Sequence, residues 1–229
     1  SYAGNDPAQY KKGFEPKNEA AEKSFDELIG FIKKIDKDGK SNYEQMLSEN
    51  LRLEHFLKIT AVMLFAGCFD QLTGWNPHNY YLYLNPKTDR WSYIPWDLDV
   101  GFADHAFGRI PVIDGWHAAW PIPGGPPKPI LENIVTNPNL LKKYRETASF
   151  ILEKYFKPDQ LHSKIDKLYA LIKKDLVKDP YPAKRITNPR DAGYDDIILS
   201  FKRFIDRRYQ LAHQQLDNPG PRPKRYKPV

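Results

Sequence analysis

Apolar residues in this chain recur at helical spacing over most of its length and give way to strand-like runs only once, near the middle. From residue 19, Phe25, Leu28, Ile29, Ile32 and Ile35 fall on one face of a helix that Asp38-Gly39 would end. A short helix over 41–48 follows, with Ser41 as its cap. Residues 53–69 are apolar nearly all round in their second half, as expected of a buried helix. A polar loop, 70–78, leads to two aromatic runs, 79–84 and 91–96. The turn-forming connector between them predicts a β-hairpin, with Pro95 at a strand end or edge. Residues 100–128 are rich in Gly and Pro, contain Trp116 and Trp120, and predict a long loop of the functional or mobile kind. Amphipathic helices are expected over 138–156, 158–177 and 194–216, with a Pro-rich break at 179–189. The fold class read from this pattern is mostly α (α+β), with helices around a small central hairpin.

Composition narrows the picture. At 229 residues, with 14 Tyr, 12 Phe and 5 Trp, the chain can bury one sizeable core. No apolar run approaches the ~18 residues of a membrane span. The net charge is +6, and part of it lies in the tail at Arg222, Lys224, Arg225 and Lys227, read as a solvated basic terminus over 217–229. Elsewhere basic residues alternate with acids, as in Lys142, Lys143, Arg145 and Glu146, so no nucleic-acid partner is expected. Cys68, the single cysteine, leaves no intrachain disulfide and no cysteine-based zinc site, and it reads as a core residue. The chain opens at Ser1 without a charged-then-apolar leader. It reads as beginning mid-protein, with 1–18 as a linker and 19–216 as the main unit.

The polar chemistry gathers around the hairpin. Asp70 closes the buried helix, Asn79 opens the first strand, and Asp97 and Asp99 follow the second. A protein-kinase C-terminal lobe uses this order: a loop aspartate faces the substrate hydroxyl, an asparagine holds metal, and an aspartate after a hairpin holds Mg²⁺ on the phosphates. Mg²⁺ takes oxygen ligands, commonly one or two carboxylates with phosphate and water. An amide and a carboxylate suit it. Asp97 and Asp99, two apart, would share one side of an extended chain. Each residue also has an ordinary role. The D-x-D pair suits a solvated turn, Asp70 a helix end bonding its own turn, Asn79 a strand start, and His78 a bond to a backbone carbonyl.

The stretch HNYYLYLNPKTDRWSYIPWDLDVGF, from His78 to Phe102, resembles the signature of the CotH kinase family. FDELIGFI upstream and FIDRRYQLAHQQL downstream resemble flanking parts of that family's C-terminal region, so the resemblance covers nearly the whole chain. It implies an atypical kinase-like lobe and ATP-dependent phosphorylation of Ser or Thr on coat or cell-surface proteins, with Mg²⁺ or Mn²⁺. By position, Asp70 would be the catalytic aspartate, Asn79 a metal ligand, Asp97 the principal metal ligand and Asp99 its assistant. His78 would shape the loop or reach a phosphate. Residues 100–128 would stand where a substrate loop lies, with Trp116 and Trp120 either forming a docking surface or packing into the core. The family setting implies an envelope, a spore surface or an extracellular location.

The chain also departs from a complete kinase. It has no G-x-G-x-x-G loop and no strand lysine paired with a helix glutamate; Lys17 is the nearest basic residue to that junction and carries no assignment. Ala103 follows Phe102 where the family often has Gly. The ATP-covering N-terminal lobe is therefore expected upstream, and this chain alone is expected to bind ATP weakly or not at all. Two further readings remain: a pseudokinase or scaffold that binds a coat or envelope partner, and a metal-dependent phosphohydrolase recruiting Asp104 and His105.

Overall fold

A computed structural model describes residues 1–38, 42–106, 108–113, 116–122, 125–181, 188 and 190–224. The expected helix stop at Gly39, the Ser41 cap, most of the 179–189 break, and Arg225 and Lys227 lie outside the described residues. The helices are α1 (Glu19–Lys23), α2 (Phe25–Lys33), α3 (Tyr43–Asn50), α4 (Leu53–Ala66), α5 (Pro129–Thr136), α6 (Pro138–Tyr155), α7 (Pro158–Leu176) and α8 (Tyr194–Asp217). A π-helical turn, Lys34–Asp38, extends α2. Strands β1 (Tyr80–Asn85) and β2 (Arg90–Pro95) pair antiparallel, as do β3 (His105–Ala106) and β4 (Ile110–Pro111). The fold is mostly helical, as the periodicity implied.

α4 is the axis of the core. Phe56, Leu57, Ala61, Leu64 and Phe65 are buried on several sides of it, so α6, α8 and β2 can all pack against it. It stops two to three residues earlier than its apolar pattern suggests, because Gly67 adopts a left-handed conformation (φ 69°). Gly67 N–H then bonds Leu64 O at 3.3 Å and Cys68 N–H bonds Met63 O at 3.0 Å. These two bonds satisfy the carbonyls a helix end leaves open. A Cβ at Gly67 would lie 2.5 Å from Val112 Cγ1.

The β1–β2 hairpin turns over 86–89, with Asp89 left-handed (φ 51°), and pairs Tyr80 with Pro95 through Asn85 with Arg90. Its inner face carries Leu82, Leu84, Trp91 and Tyr93. Trp91 stacks on Phe31 of α2 at 5.6 Å, and Tyr93 meets Phe56 of α4 edge-on at 5.7 Å. The aromatic strands are thus clamped between the first helices and the core axis, which fixes where their ends point.

Outside β3 and β4 the described residues of 100–128 are irregular, yet many are well packed. Ala103, Ala106, Ile110, Val112, Ile113, Trp116, Ala118 and Ala119 are all buried. Trp116 is core. Trp120 is half-buried, with its indole N–H on Pro219 O at 3.1 Å and the Arg145 guanidinium over its ring at 4.5 Å. Both tryptophans therefore have the packing role. The segment is tied down by Arg208 of α8, whose side chain is fully buried. Its guanidinium donates to Ile113 O (2.9 Å), Trp116 O (2.6 Å) and Leu64 O (3.1 Å). Part of the tail also folds back, since Arg222 bonds Glu132.

Candidate active site at the hairpin exit

Three segments meet where the hairpin begins and ends. The first is the loop leaving α4. Asp70 O accepts both His78 N–H (2.9 Å) and Asn79 N–H (3.1 Å), so 70–78 closes on itself before β1 starts. The second is the start of β1, where Asn79 O accepts Trp96 N–H at 3.1 Å, holding the end of β2 beside it. The third is the turn after β2. Asp97 is left-handed (φ 52°), Gly101 N–H bonds Leu98 O at 3.1 Å, and Phe102 N–H reaches back to Ala66 O at 2.7 Å. That last bond pins the turn to the end of α4.

The side chains follow the backbone. Asn79 is buried, and its amide donates to Asp70 Oδ2 at 3.4 Å. His78 Nε2 lies 3.6 Å from the same oxygen, while its Nδ1 meets Asn76 O at 2.8 Å. Asp97 lies near Asp99. The two come together through a turn. The extended geometry expected for D-x-D is absent because Asp97 has positive φ.

Asp70 and Asp99 each sense the neighbouring carboxylates. Burial pushes the Asp70 carboxyl above the usual carboxylate range; His78 pulls it down, while Asp99 and Asp97 push it further up. Burial likewise raises Asp99, and the neighbouring Asp97 adds to it. Burial, with the charges of Asp70 and Asp99 nearby, pushes the Cys68 thiol up to about 12, which keeps it a neutral core group. The structure therefore brings together Asp70, His78, Asn79, Asp97 and Asp99. Among the described residues no three His, Cys, Asp or Glu side chains are gathered tightly enough to cage a metal ion by themselves. Asp104 and His105 belong to the second hairpin, where Asp104 O accepts Val112 N–H at 2.9 Å and His105 pairs with Pro111.

Two supporting residues were not singled out in the sequence. Gln71 is fully buried; its amide donates to Trp96 O at 2.7 Å, and its carbonyl accepts Tyr93 O–H at 3.0 Å. Leu72 N–H in turn donates to Tyr93 Oη at 3.1 Å. This pair rivets the 70–78 loop to β2 and so holds the loop that carries Asp70 beside the end of that strand. The available signal was Tyr93 itself: a tyrosine on the inward face of a strand needs a polar partner.

Comparison with known proteins adds two findings. A family model described as CotH kinase protein matches residues 1–212. Inner spore coat protein H of Bacillus subtilis (strain 168) is 24% identical over 174 residues, covering 74% of this chain and 44% of that protein. The chain spans less than half the length of that relative. No described helix is long and apolar enough to cross a membrane.

Proposed function

Because the chain belongs to the CotH kinase protein family, we propose that it is the metal- and phosphate-handling lobe of an atypical protein kinase that transfers the γ-phosphate of ATP to Ser or Thr of a coat or surface protein. The observation that carries this reading is the gathering of Asp70, Asp97 and Asp99 with buried Asn79 at the hairpin exit. The donors offered are oxygen atoms, which suits Mg²⁺ or Mn²⁺ and does not suit a soft metal. Three carboxyl groups held in mutual repulsion would be relieved by a divalent cation. A site with too few ligands to cage an ion is one that phosphate oxygens and water would complete.

In this reading Asp97 and Asp99 hold the ion, which when bound neutralises phosphate charge. Asp70 accepts the proton-bearing hydroxyl of the substrate and orients it. The Asn79 amide keeps Asp70 aimed, and its carbonyl oxygen is a candidate metal ligand. His78 keeps the loop closed on Asn76 O and lends Asp70 a partner. The name of the B. subtilis relative supports a spore-coat setting.

The parts that would cover the nucleotide, a Gly-rich loop and a strand-borne lysine, have no counterpart in these residues. In the phosphotransfer reading that cover is supplied from outside these 229 residues. The same observation favours a second reading, a scaffold that binds a coat or envelope partner without catalysis. The test is ³²P transfer from ATP with Mg²⁺ or Mn²⁺, run on this chain and on the longest reading frame that encodes it. Labelling by the longer form that Asp97→Ala abolishes is the expected result. Equal labelling with Asp97→Ala removes Asp97 from the mechanism, and no labelling in either form leaves the scaffold.

A further inference from the structure

Strand β1 has a second edge. The bond from Trp96 N–H to Asn79 O, read with the hairpin register, fixes which residues exchange main-chain bonds with β2: Asn79, Tyr81, Tyr83 and Asn85. The N–H and C=O groups of Tyr80, Leu82 and Leu84 therefore point the opposite way. Among the described residues no strand lies beside them and no hydrogen-bond partner reaches them. The outer edge of β2 is different. Its Trp91 O accepts Arg52 N–H at 2.9 Å, Leu51 bridges to Trp91, and Pro95 has no donor to offer. Natural edges are usually blunted by a charge, a proline or a bulge. Between Tyr80 and Asn85 there is none of these.

The surface next to this edge is aromatic. Tyr81 is 41% exposed and Tyr83 49%, with Ile94 and Trp96 beside them, and Tyr81 stacks on Trp96 at 5.9 Å. The two ends of the strand carry opposite charge. Asp70, Asp97 and Asp99 lie at its Asn79 end; Lys87 and Arg90, with Asp89 between them, leave its turn end net positive.

We propose that β1 pairs antiparallel with β1 of a second copy of this chain, about a two-fold axis at Leu82. In that register Tyr80 faces Leu84 and Leu82 faces Leu82, so every outward N–H finds a C=O on the other copy. Tyr81 stands opposite Tyr83 on the exposed face, which joins the two aromatic surfaces into one. The turn carrying Lys87 arrives beside His78 and Asp70 of the other copy, and because the strands run in opposite directions this charge match occurs twice. A foreign strand could fill the hydrogen bonds, but only a second copy brings the reversed charges by construction. The inference stands apart from the phosphotransfer reading, since it uses the edge and takes the carboxylates only as charges, with no metal, nucleotide or catalysis in it.

The test is sedimentation of the 229-residue chain from ~5 to ~300 µM at low and high salt. The expected result is a monomer–dimer equilibrium that high salt weakens. Tyr83→Lys sets a lysine in the pairing of each copy and is expected to weaken the dimer roughly tenfold or more. The double variant Tyr81→Cys/Tyr83→Cys is expected to form disulfides between copies under oxidising conditions. Both positions are exposed, so these variants should melt like the wild type by circular dichroism. A wild type that stays monomeric at the highest concentration overturns the proposal, as does a dimer indifferent to Tyr83→Lys or one that forms no disulfide. Occupation of the edge by an extended peptide of another protein would register as the first of these.

Discussion

Asp70 is the residue whose surroundings most constrain the site. Its carboxyl is mostly shielded, and its raised affinity for a proton comes first from burial and then from Asp99 and Asp97, with His78 opposing. A raised carboxyl pKa means the folded state binds a proton that the unfolded chain has already released. The native state therefore loses stability as pH climbs from the ordinary carboxylate range through the raised value. Asp70→Asn removes that term. Denaturant melts at intervals from pH 4 to 7 should show the wild type weakening relative to Asp70→Asn as pH rises, with the gap flat once Asp70 is fully ionised. A constant gap across the range would mean that neither burial nor the neighbouring carboxylates raise Asp70. The aspartates themselves were legible in the sequence because they bracket a recognisable hairpin. Gln71 and Tyr93 were not, because the bonds that join them span 22 residues and leave no local period.

Among the elements, α4 was the most legible, since an apolar stretch with no polar face can only be buried. Its end was less so. The apolar run continues through Cys68 and Phe69, but the left-handed Gly67 halts the helix and aims Asp70 toward the hairpin. Gly67→Ala meets two penalties, a positive φ that a Cβ resists and a 2.5 Å approach to Val112. A loss of about 2 kcal/mol or more is expected in urea melts. Residues 100–128 show the opposite case. Their order comes from small and branched residues packed wherever α8 leaves room, with no spacing of 2 or 3.6 for the sequence to display. A long loop of the functional or mobile kind was therefore expected, and many of its described residues are buried.

At the scale of the whole molecule, Arg208 joins parts that are far apart in the chain. It bonds the carbonyl of Leu64 near the end of α4 and those of Ile113 and Trp116 in the irregular segment. The sequence carried a sign of this. Phe204, Ile205 and Ala212 mark the buried face of α8, and Arg208 falls in phase with them, where a solvated charge does not belong. Arg208→Met keeps the bulk but leaves the carbonyls of Ile113 and Trp116 without that donor and Leu64 O with only the 3.3 Å bond from Gly67 N–H, at a cost of about 3 kcal/mol or more. Arg208→Lys should recover little of it, because one ammonium cannot reproduce the planar fork that spans three acceptors. Comparing the two variants by thermal melts separates lost geometry from lost charge.

The buried guanidinium also sets an order of events in synthesis. A chain emerging from the ribosome displays its carboxylate loop and hairpin long before residue 208 is made. Until then the carbonyls of Ile113 and Trp116 lack their guanidinium donor and stay bonded to water. The helix that carries Arg208, made well after the hairpin, is thus the one that ties the end of α4 to the irregular segment.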